Sequence, residues 1–480
     1  MECSGRAGRG EKSHGDGGRE NGDAFTSSGA PMAMGRLELF CYGFGDFSGQ
    51  LLINFVSTFF LIFCTDVCMI TASAAGSIFL FTRICDAGTD LFMGCGVDRT
   101  KTPMGSCRPW ILAGMPVAAM SFAMMFSRGD LRGQSAVAWM TVWYFIYSAG
   151  TTMTGVPYGI LPNVVTVDRR ERVLMGVIRD YGANLAGFLV STFGTLLLLH
   201  LGGGAQVPDE EGYRAAVTVV AAAAAAGYLI VFFTQRERYR MPRNDADIEA
   251  ALRAFFKNTP AMLLLAIAFV FSFCLNFRTA STSYFCIYYL KDPGEISVLL
   301  AVVFTLPLIL LPLVPAMIRR LGKRRMLISS GLVTSMAGVL VLARSKNETF
   351  LLLSSLLLGL ALSCVFALVW ASVPEAAEFG ELKTGIYCPG VIYSIATFLM
   401  KCGSGLAIYT AGFAMDVIGY NYALEVQSVA TERGFALWYG AMPLAAGAVM
   451  AVLAALYRLD DATVDRNTEE IRKRRLTAGC

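Results

Sequence analysis

The chain has 480 residues, of which 55% are hydrophobic and only 16% charged. A soluble chain of this size carries about 25% charged residues, so the composition excludes an ordinary water-soluble domain and points to a polytopic membrane protein. The formal net charge is +4 and there are two histidines, His14 and His200, which leaves histidine-based catalysis or metal binding almost no material and gives no basis for a nucleic-acid partner.

Residues 1–36 are rich in Gly, Ser, Arg, Glu and Asp without an apolar period, and read as a disordered tail. No apolar core of signal-peptide type precedes the first long run, so no cleaved signal is expected. Twelve apolar runs follow, each long enough to cross about 30 Å of hydrocarbon. They cover 38–64, 71–97, 109–127, 135–161, 174–200, 214–234, 260–290, 296–318, 325–344, 349–373, 387–415 and 434–457. The fold class expected is therefore all-α, with twelve transmembrane helices.

The connections set the orientation. Basic residues gather after even-numbered runs: Arg99, Lys101 and Arg108; Arg169, Arg170 and Arg172; Arg236, Arg238, Arg240, Arg243, Arg253 and Lys257; Arg319, Arg320, Lys323, Arg324 and Arg325. The connection after the fifth run carries Asp209, Glu210 and Glu211 instead. Positively charged loops stay inside, so both termini and the even loops are expected in the cytoplasm, with the chain in the plasma (cytoplasmic) membrane. The long polar connection divides the chain into a six-helix half at 37–234, a linker at 235–259, a second six-helix half at 260–458 and a tail at 459–480. Asn347-Glu348-Thr349 matches an N-glycosylation pattern on an outer loop, and Trp370 and Tyr457 fit interfacial anchors near span ends. Cys64 and Cys68 are the nearest pair among thirteen scattered cysteines, and small apolar packing explains them better than a disulfide.

The second run holds Arg83-Ile-Cys-Asp86-Ala-Gly-Thr89-Asp90. Each charge there costs about 2.5–3.5 kcal/mol at a bilayer centre on insertion scales. Asp86 and Asp90 share one helical face, with Arg83 a turn before, leaving that face about one positive charge short of neutral. A small cation would fill the deficit, and Thr89 adds a neutral oxygen of the kind a hard cation takes. A static salt-bridge cluster holding helices together is the other reading of the same residues. Lys401, a lone lysine in an apolar run, demands a partner, for which Asp86 or Asp90 is expected. No nucleophile–base pair or metal-site motif is present, so no enzyme activity is expected.

Separated stretches then resemble the glycoside–pentoside–hexuronide:cation symporter family of the major facilitator superfamily, whose best-known member is the melibiose permease. They are Tyr42-Gly-Phe-Gly45, Phe63-Cys-Thr65-Asp66-Val67, the Arg83–Asp90 stretch, the loop Gly94-Cys-Gly-Val-Asp98-Arg99-Thr-Lys101, Arg108-Pro109-Trp110, Pro157-Tyr158-Gly159, Asp168-Arg-Arg-Glu-Arg172, Phe379-Gly380-Glu381-Leu382-Lys383-Thr384-Gly385 and Met400-Lys401-Cys-Gly403-Ser404. They run in order from about residue 40 to 458.

The resemblance implies two six-helix halves, a coupling cation (Na+, Li+ or H+) and no other cofactor. It also implies a small-molecule substrate, function as a monomer, and alternating access. It places the cation on Asp86, Asp90 and Thr152, with Thr89 tuning which ion is used, and it brings Lys401 to the central cavity. An interdomain salt bridge remains an alternative role for Lys401. At the positions where melibiose-type members carry sugar-binding acids, a tryptophan and an arginine, this chain has Gln50, Gly155, Gly159 and Asp180, with Arg179 adjacent. Asp46 and Tyr158 are local substitutes, Arg179 and Asp180 either serve the substrate or brace each other, and Asn276, Arg278 and Phe366 are further cavity candidates. The substrate expected is a glycoside, pentoside or hexuronide. A non-sugar such as a lysolipid, amino acid or drug, moved inward or outward, is the alternative. Glu375, Glu378, Glu381 and Lys383, after the tenth run, either latch onto the basic loops or form a solvated charge run.

Overall fold

The computed structural model describes residues 34–100, 102–127, 133–166, 168–202, 210–239, 248–386, 389–421 and 427–457, with a few single positions between and beyond them. Most of the two expected tails and part of the linker, 240–247, lie outside the described residues, as do Lys101 and the side chains of Asp98, Arg169 and Arg170.

A helix covers each of the twelve expected runs. In chain order these are α1 (Arg36–Ile62), α2 (Ala72–Arg99), α3 (Arg108–Met125), α4 (Gln134–Val165), α5 (Arg169–Leu201) and α6 (Glu210–Thr234). A short α7 (Ile248–Phe256) follows, then α8 (Thr259–Tyr284), α9 (Gly294–Leu310), α10 (Val314–Leu321), α11 (Lys323–Ala343), α12 (Glu348–Thr384), α13 (Pro389–Val417) and α14 (Val429–Leu456). A 3-10 turn at Leu311–Leu313 joins α9 to α10, so the eighth run is one interrupted segment. Among the described residues, nine segments are long and apolar enough, by length and composition, to cross a membrane.

The ends follow from local chemistry. Asn258 and Ser428 cap α8 and α14, accepting from the backbone N–H of Ala261 and Thr431. Asn347 caps α12 in the same way, accepting from Phe350 N at 3.3 Å, which gives the first residue of the glycosylation pattern a structural task. Gly385, at φ +77°, stops α12 in the left-handed region where a side chain is strained.

Two elements exceed their expected bounds. The span at 349–373 continues to Thr384, so Glu375, Glu378, Glu381 and Lys383 lie on a helix rather than after one, and Trp370 sits well inside it rather than at an end. A helical N–H to C=O ladder through Pro374 persists because a proline removes one donor and leaves the rest. Gly94–Arg99, expected as a loop, forms the last turns of α2.

Helices before residue 240 pack mainly among themselves: α1 on α5 and α6, α3 on α4 and α6, α2 on α4. Those after 248 do likewise, with α11 on α14 and α12, α8 on α13 and α14, and α12 on α9. The two sets meet where α2 crosses α13, α5 crosses α9 and α1 crosses α8. Glycine permits the α2–α13 crossing: a Cβ on Gly76 would stand 2.8 Å from Tyr409 Cα, and one on Gly412 would strike the Ala72 carbonyl.

The crossings are tied together at the end where α1 stops. There α1 widens into a π-helical turn, Phe63–Val67, and α8 into another, Phe285–Leu290. Asp66 of the first turn accepts from Tyr288 Oη of the second at 2.6 Å and from Tyr420 Oη at 2.5 Å. Thr65 Oγ1 lies 2.9 Å from Tyr284 Oη, and Ser283 Oγ donates to the Thr58 carbonyl at 3.2 Å.

At the opposite end several ties lie within one set. Arg238 holds Glu38 through both guanidinium Nη atoms at 2.7 and 2.9 Å. Glu237 accepts from Ser106 N, Ser106 Oγ, Cys107 N and Arg108 N at the start of α3. Glu375 pairs with Lys323, and Lys383 donates to the Lys257 carbonyl at 2.9 Å. The molecule is therefore closed at the Asp66 end. Cys64 and Cys68 are both buried, and no disulfide joins them.

Candidate cation and substrate site

In its apolar stretch α2 carries Arg83, Asp86 and Asp90 at i, i+3 and i+7, and each of the three has a partner. Arg83 Nη1 donates to Asp86 Oδ2 at 3.2 Å, and both residues are buried, at 9% and 3% exposure. Ser148 Oγ of α4 donates to Asp86 Oδ1. One turn on, Thr152 Oγ1 donates to Asp90 Oδ1 at 3.0 Å. Lys401 Nζ of α13 reaches across to Asp90 Oδ2 at 2.5 Å. Thr89 Oγ1 donates to the Asp86 carbonyl at 3.0 Å. The sequence shows a helical face one charge short of neutral. In the structure Lys401 supplies that charge from another helix, so two acids meet two bases. Pairing is what makes such charges tolerable away from water.

Ser148 was not foreseen from sequence. Its signal was present: it precedes Thr152 by four residues, and the i, i+4 spacing puts both hydroxyls on the face that meets α2. The cluster gathers two carboxylates and three hydroxyls on adjacent turns of two helices, a set of hard oxygen donors.

The expected substrate residues separate into two groups. Asp46, on α1, holds Arg179 Nε of α5 at 3.0 Å, which replaces the expected Arg179–Asp180 brace with a pair between helices. Arg179 Nη1 also reaches Tyr393 Oη of α13, at 3.5 Å. Asp180 accepts from Asn184 through its main-chain carbonyl. Gln50 and Asn54 of α1 bond to each other.

Tyr158, expected as a substitute stacking ring, is instead committed to Tyr42. The rings stack at 4.6 Å and each hydroxyl donates to the other residue's carbonyl, leaving Tyr158 2% exposed. Arg278, expected to line the cavity, is 2% exposed within the packing of later helices. It donates to the Tyr439 carbonyl at 3.0 Å and to Ser354 Oγ at 3.2 Å, and lies 3.5 Å from the Tyr439 ring centroid. A buried guanidinium satisfied by carbonyl, hydroxyl and ring has little left to offer a ligand. Asn276 bonds back to the Ser272 carbonyl of its own helix, and Phe366 meets Phe271 edge-on.

Gly155 and Gly159 are exposed, and a Cβ on either would find no atom within 4 Å. They continue the α4 face that carries Ser148 and Thr152.

With this geometry in hand, the comparisons decide the family. Residues 41–461 match the model of the MFS/sugar transport protein family. The chain belongs to that family. The resemblance to the glycoside–pentoside–hexuronide:cation symporters holds, and the protein is an integral, multi-pass membrane transporter of sugar type, not an enzyme. It is 26% identical over 433 residues to the isoprimeverose transporter of Lactiplantibacillus pentosus, covering 88% of each chain. It is 28% identical over 465 residues to a putative 2,3-dihydroxypropane-1-sulfonate exporter of Escherichia coli strain K12, covering 94% of this chain and 99% of that one. The glucuronide carrier protein homolog of the same strain is 26% identical over 441 residues, with 90% and 95% covered.

Among solved structures, a bacterial homolog of the human lysosomal transporter Spinster, in an inward-facing and unoccupied conformation, shares the fold. Its TM-score is 0.64 at 14% identity, with 90% of this chain and 97% of that one covered. The nucleoside transporter NupG gives a TM-score of 0.60 at 13% identity, with 88% and 98% covered.

Proposed function

We propose that this transporter is a cation-coupled symporter that imports a small polar solute, a glycoside, pentoside or hexuronide, by alternating access between two six-helix halves. All twelve long segments cross the membrane and both termini are cytoplasmic, in accord with the basic connections, so the closed Asp66 end faces outward. The observation that carries the reading is the contact of Lys401 with Asp90. It joins the acid pair of the first half to the second half through a side chain that a cation can replace.

A monovalent cation entering among Asp86, Asp90, Thr152, Ser148 and Thr89 competes with the Lys401 ammonium for the Asp90 carboxylate. Displacement frees an ammonium at the cavity centre, where solute hydroxyls or a solute anion accept from it. Solute engaging Lys401 in turn leaves Asp90 open to the cation. Each raises the affinity for the other by the same factor, as coupling requires. Without cation the Lys401–Asp90 pair keeps the empty carrier neutral, which lowers the cost of its return through the membrane. The relatives whose names specify an isoprimeverose transporter and a glucuronide carrier support the sugar class.

The test is uptake of isoprimeverose and of methyl β-glucuronide into proteoliposomes under imposed Na+, Li+ and H+ gradients. Accumulation driven by one of these gradients is expected; uptake of neither sugar under any gradient would sink the reading. The relative described as a sulfonate exporter favours a second reading, outward movement of a small non-sugar. Counterflow of a sulfonate with no competition by either sugar would identify it.

A further inference from the structure

The connection between α10 and α11 carries five bases in seven residues, Arg319-Arg320-Leu-Gly322-Lys323-Arg324-Arg325, and they divide by what holds them. Lys323 pairs with Glu375 of α12, and Arg324 Nη2 donates to the Ala455 carbonyl of α14 at 2.7 Å. Those two fasten the turn to its neighbours. Arg319, Arg320 and Arg325 are exposed, and among the described residues none of their guanidinium groups has a hydrogen-bond or ion-pair partner. Other bases at this end are taken up: Arg238 by Glu38, and Arg108 by the Phe232 carbonyl. Helix electrostatics does not account for the cluster either. The C-terminus of α10 suits Arg319 and Arg320, but the bases in the first turn of α11 face the positive pole of their own helix, with no acid in that turn.

The surroundings of the three arginines are apolar and face outward. α11 has 21 residues, about 31 Å at 1.5 Å each, which matches the roughly 30 Å of hydrocarbon in a bilayer. Its first turn therefore stands at the level of the lipid phosphates. Leu332 and Met336 lie within about 20° of Arg325 around the helix axis, at 100° per residue. They are 58% and 52% exposed, so this stripe faces acyl chains and Arg325 crowns it. Across Gly322, Val314, Met317 and Ile318 turn α10 onto the core, while Leu321 stays exposed beside Arg319 and Arg320.

We propose that Arg319, Arg320 and Arg325 form a binding site for the headgroup of an anionic glycerophospholipid. The guanidinium groups donate to its phosphate oxygens, with two parallel N–H bonds where a fork meets the phosphate edge-on. The acyl chains run along the Leu332–Met336 stripe. Three charges without a protein partner favour a lipid of net negative charge over a zwitterionic one, whose own ammonium cancels the attraction. Which solute the transporter carries does not enter. Because Lys323 and Arg324 fasten the same turn to α12 and α14, a bound lipid ties the later helix set to one leaflet.

The test is binding of fluorescent phosphatidylglycerol and of equally labelled phosphatidylcholine to the full-length protein in detergent micelles, where both ends of the molecule meet lipid and no transport is involved. Phosphatidylglycerol is expected to bind roughly thirtyfold more tightly, with the preference falling as salt is raised. Arg319→Gln, Arg320→Gln and Arg325→Gln are each expected to cost about threefold of that preference, and replacing all three by glutamine to abolish it. Replacing all three by lysine keeps most of it, a comparison that separates lost charge from lost folding. Arg344→Gln, which alters an exposed base at the other end of α11, leaves it unchanged. Equal affinity for the two lipids, a preference that survives the triple glutamine variant, or an equal loss in Arg344→Gln would overturn the site. Displacement of the probe by soluble glycerol 1-phosphate at matched concentration would assign the arginines to free phosphate esters and overturn the lipid as occupant.

Discussion

Asp90 is the residue on which coupling turns, because its two oxygens face different donors: Thr152 from the same helix set and Lys401 from the other. Asp90→Asn keeps the shape and removes the charge, and Asp86→Asn does the same beside Arg83. Both variants are expected to lose cation-dependent accumulation, by at least about tenfold, while still reaching the membrane folded; gradient-driven uptake against a wild-type control measures it. Undiminished accumulation in both would detach the acids from coupling. Lys401→Ala leaves Asp90 without its ion-pair partner, and the expected result is binding of the cation without transport of the solute. Calorimetric titration with Na+ and Li+, alongside uptake, separates the two effects. At this scale the acids and Lys401 were legible because charge in an apolar run is conspicuous, Thr89 because it adjoins them, and Thr152 only through the family resemblance. Ser148 was not, since a hydroxyl in such a run has an ordinary packing explanation. Arg278 shows the converse: a conspicuous charge that the fold satisfies internally with a carbonyl, a hydroxyl and an aromatic face.

At the scale of elements, hydropathy located every long helix and placed most ends to within a few residues. It failed where chemistry, not polarity, sets the end. α12 runs on through Glu375, Glu378 and Glu381 because Gly385 is the first residue to adopt a left-handed stop. The start of α3 depends on Glu237, a residue far along the chain that accepts from four donors there. No local signal marks such a cap. Glu237→Ala is expected to destabilise the protein by about 1–3 kcal/mol, read as a lower thermal midpoint in detergent. The α2–α13 crossing makes a second demand. Gly412→Val would drive a side chain into the Ala72 carbonyl, so the two helices must separate. Slower uptake at unchanged expression is the expected outcome, measured by initial rates; wild-type rates would show that the close approach is dispensable.

Across the whole molecule, among the described residues, the hydroxyl ties between early and late helices at the Asp66 end include two tyrosine hydroxyls on one carboxylate. Tyr288→Phe combined with Tyr420→Phe removes two of its donors and should weaken the closure at that end. Cys64 and Cys286, both fully buried on the two π-turns, report on it. Their labelling by a membrane-impermeant maleimide, followed by peptide mass analysis, is expected to accelerate several-fold in the double variant; an unchanged rate would place the closure elsewhere. The location of this seal was invisible in the sequence, because it rests on pairings between residues more than two hundred positions apart. The paired π-turns have a mechanical corollary. Each stores one surplus residue in its helix, and passing that residue along restores ordinary winding while rotating everything beyond it by about 100°. Such a rotation would swing Asp66 away from Tyr288 without unravelling either rod, so the Asp66 end can be unlocked by a change in winding number at two matched joints.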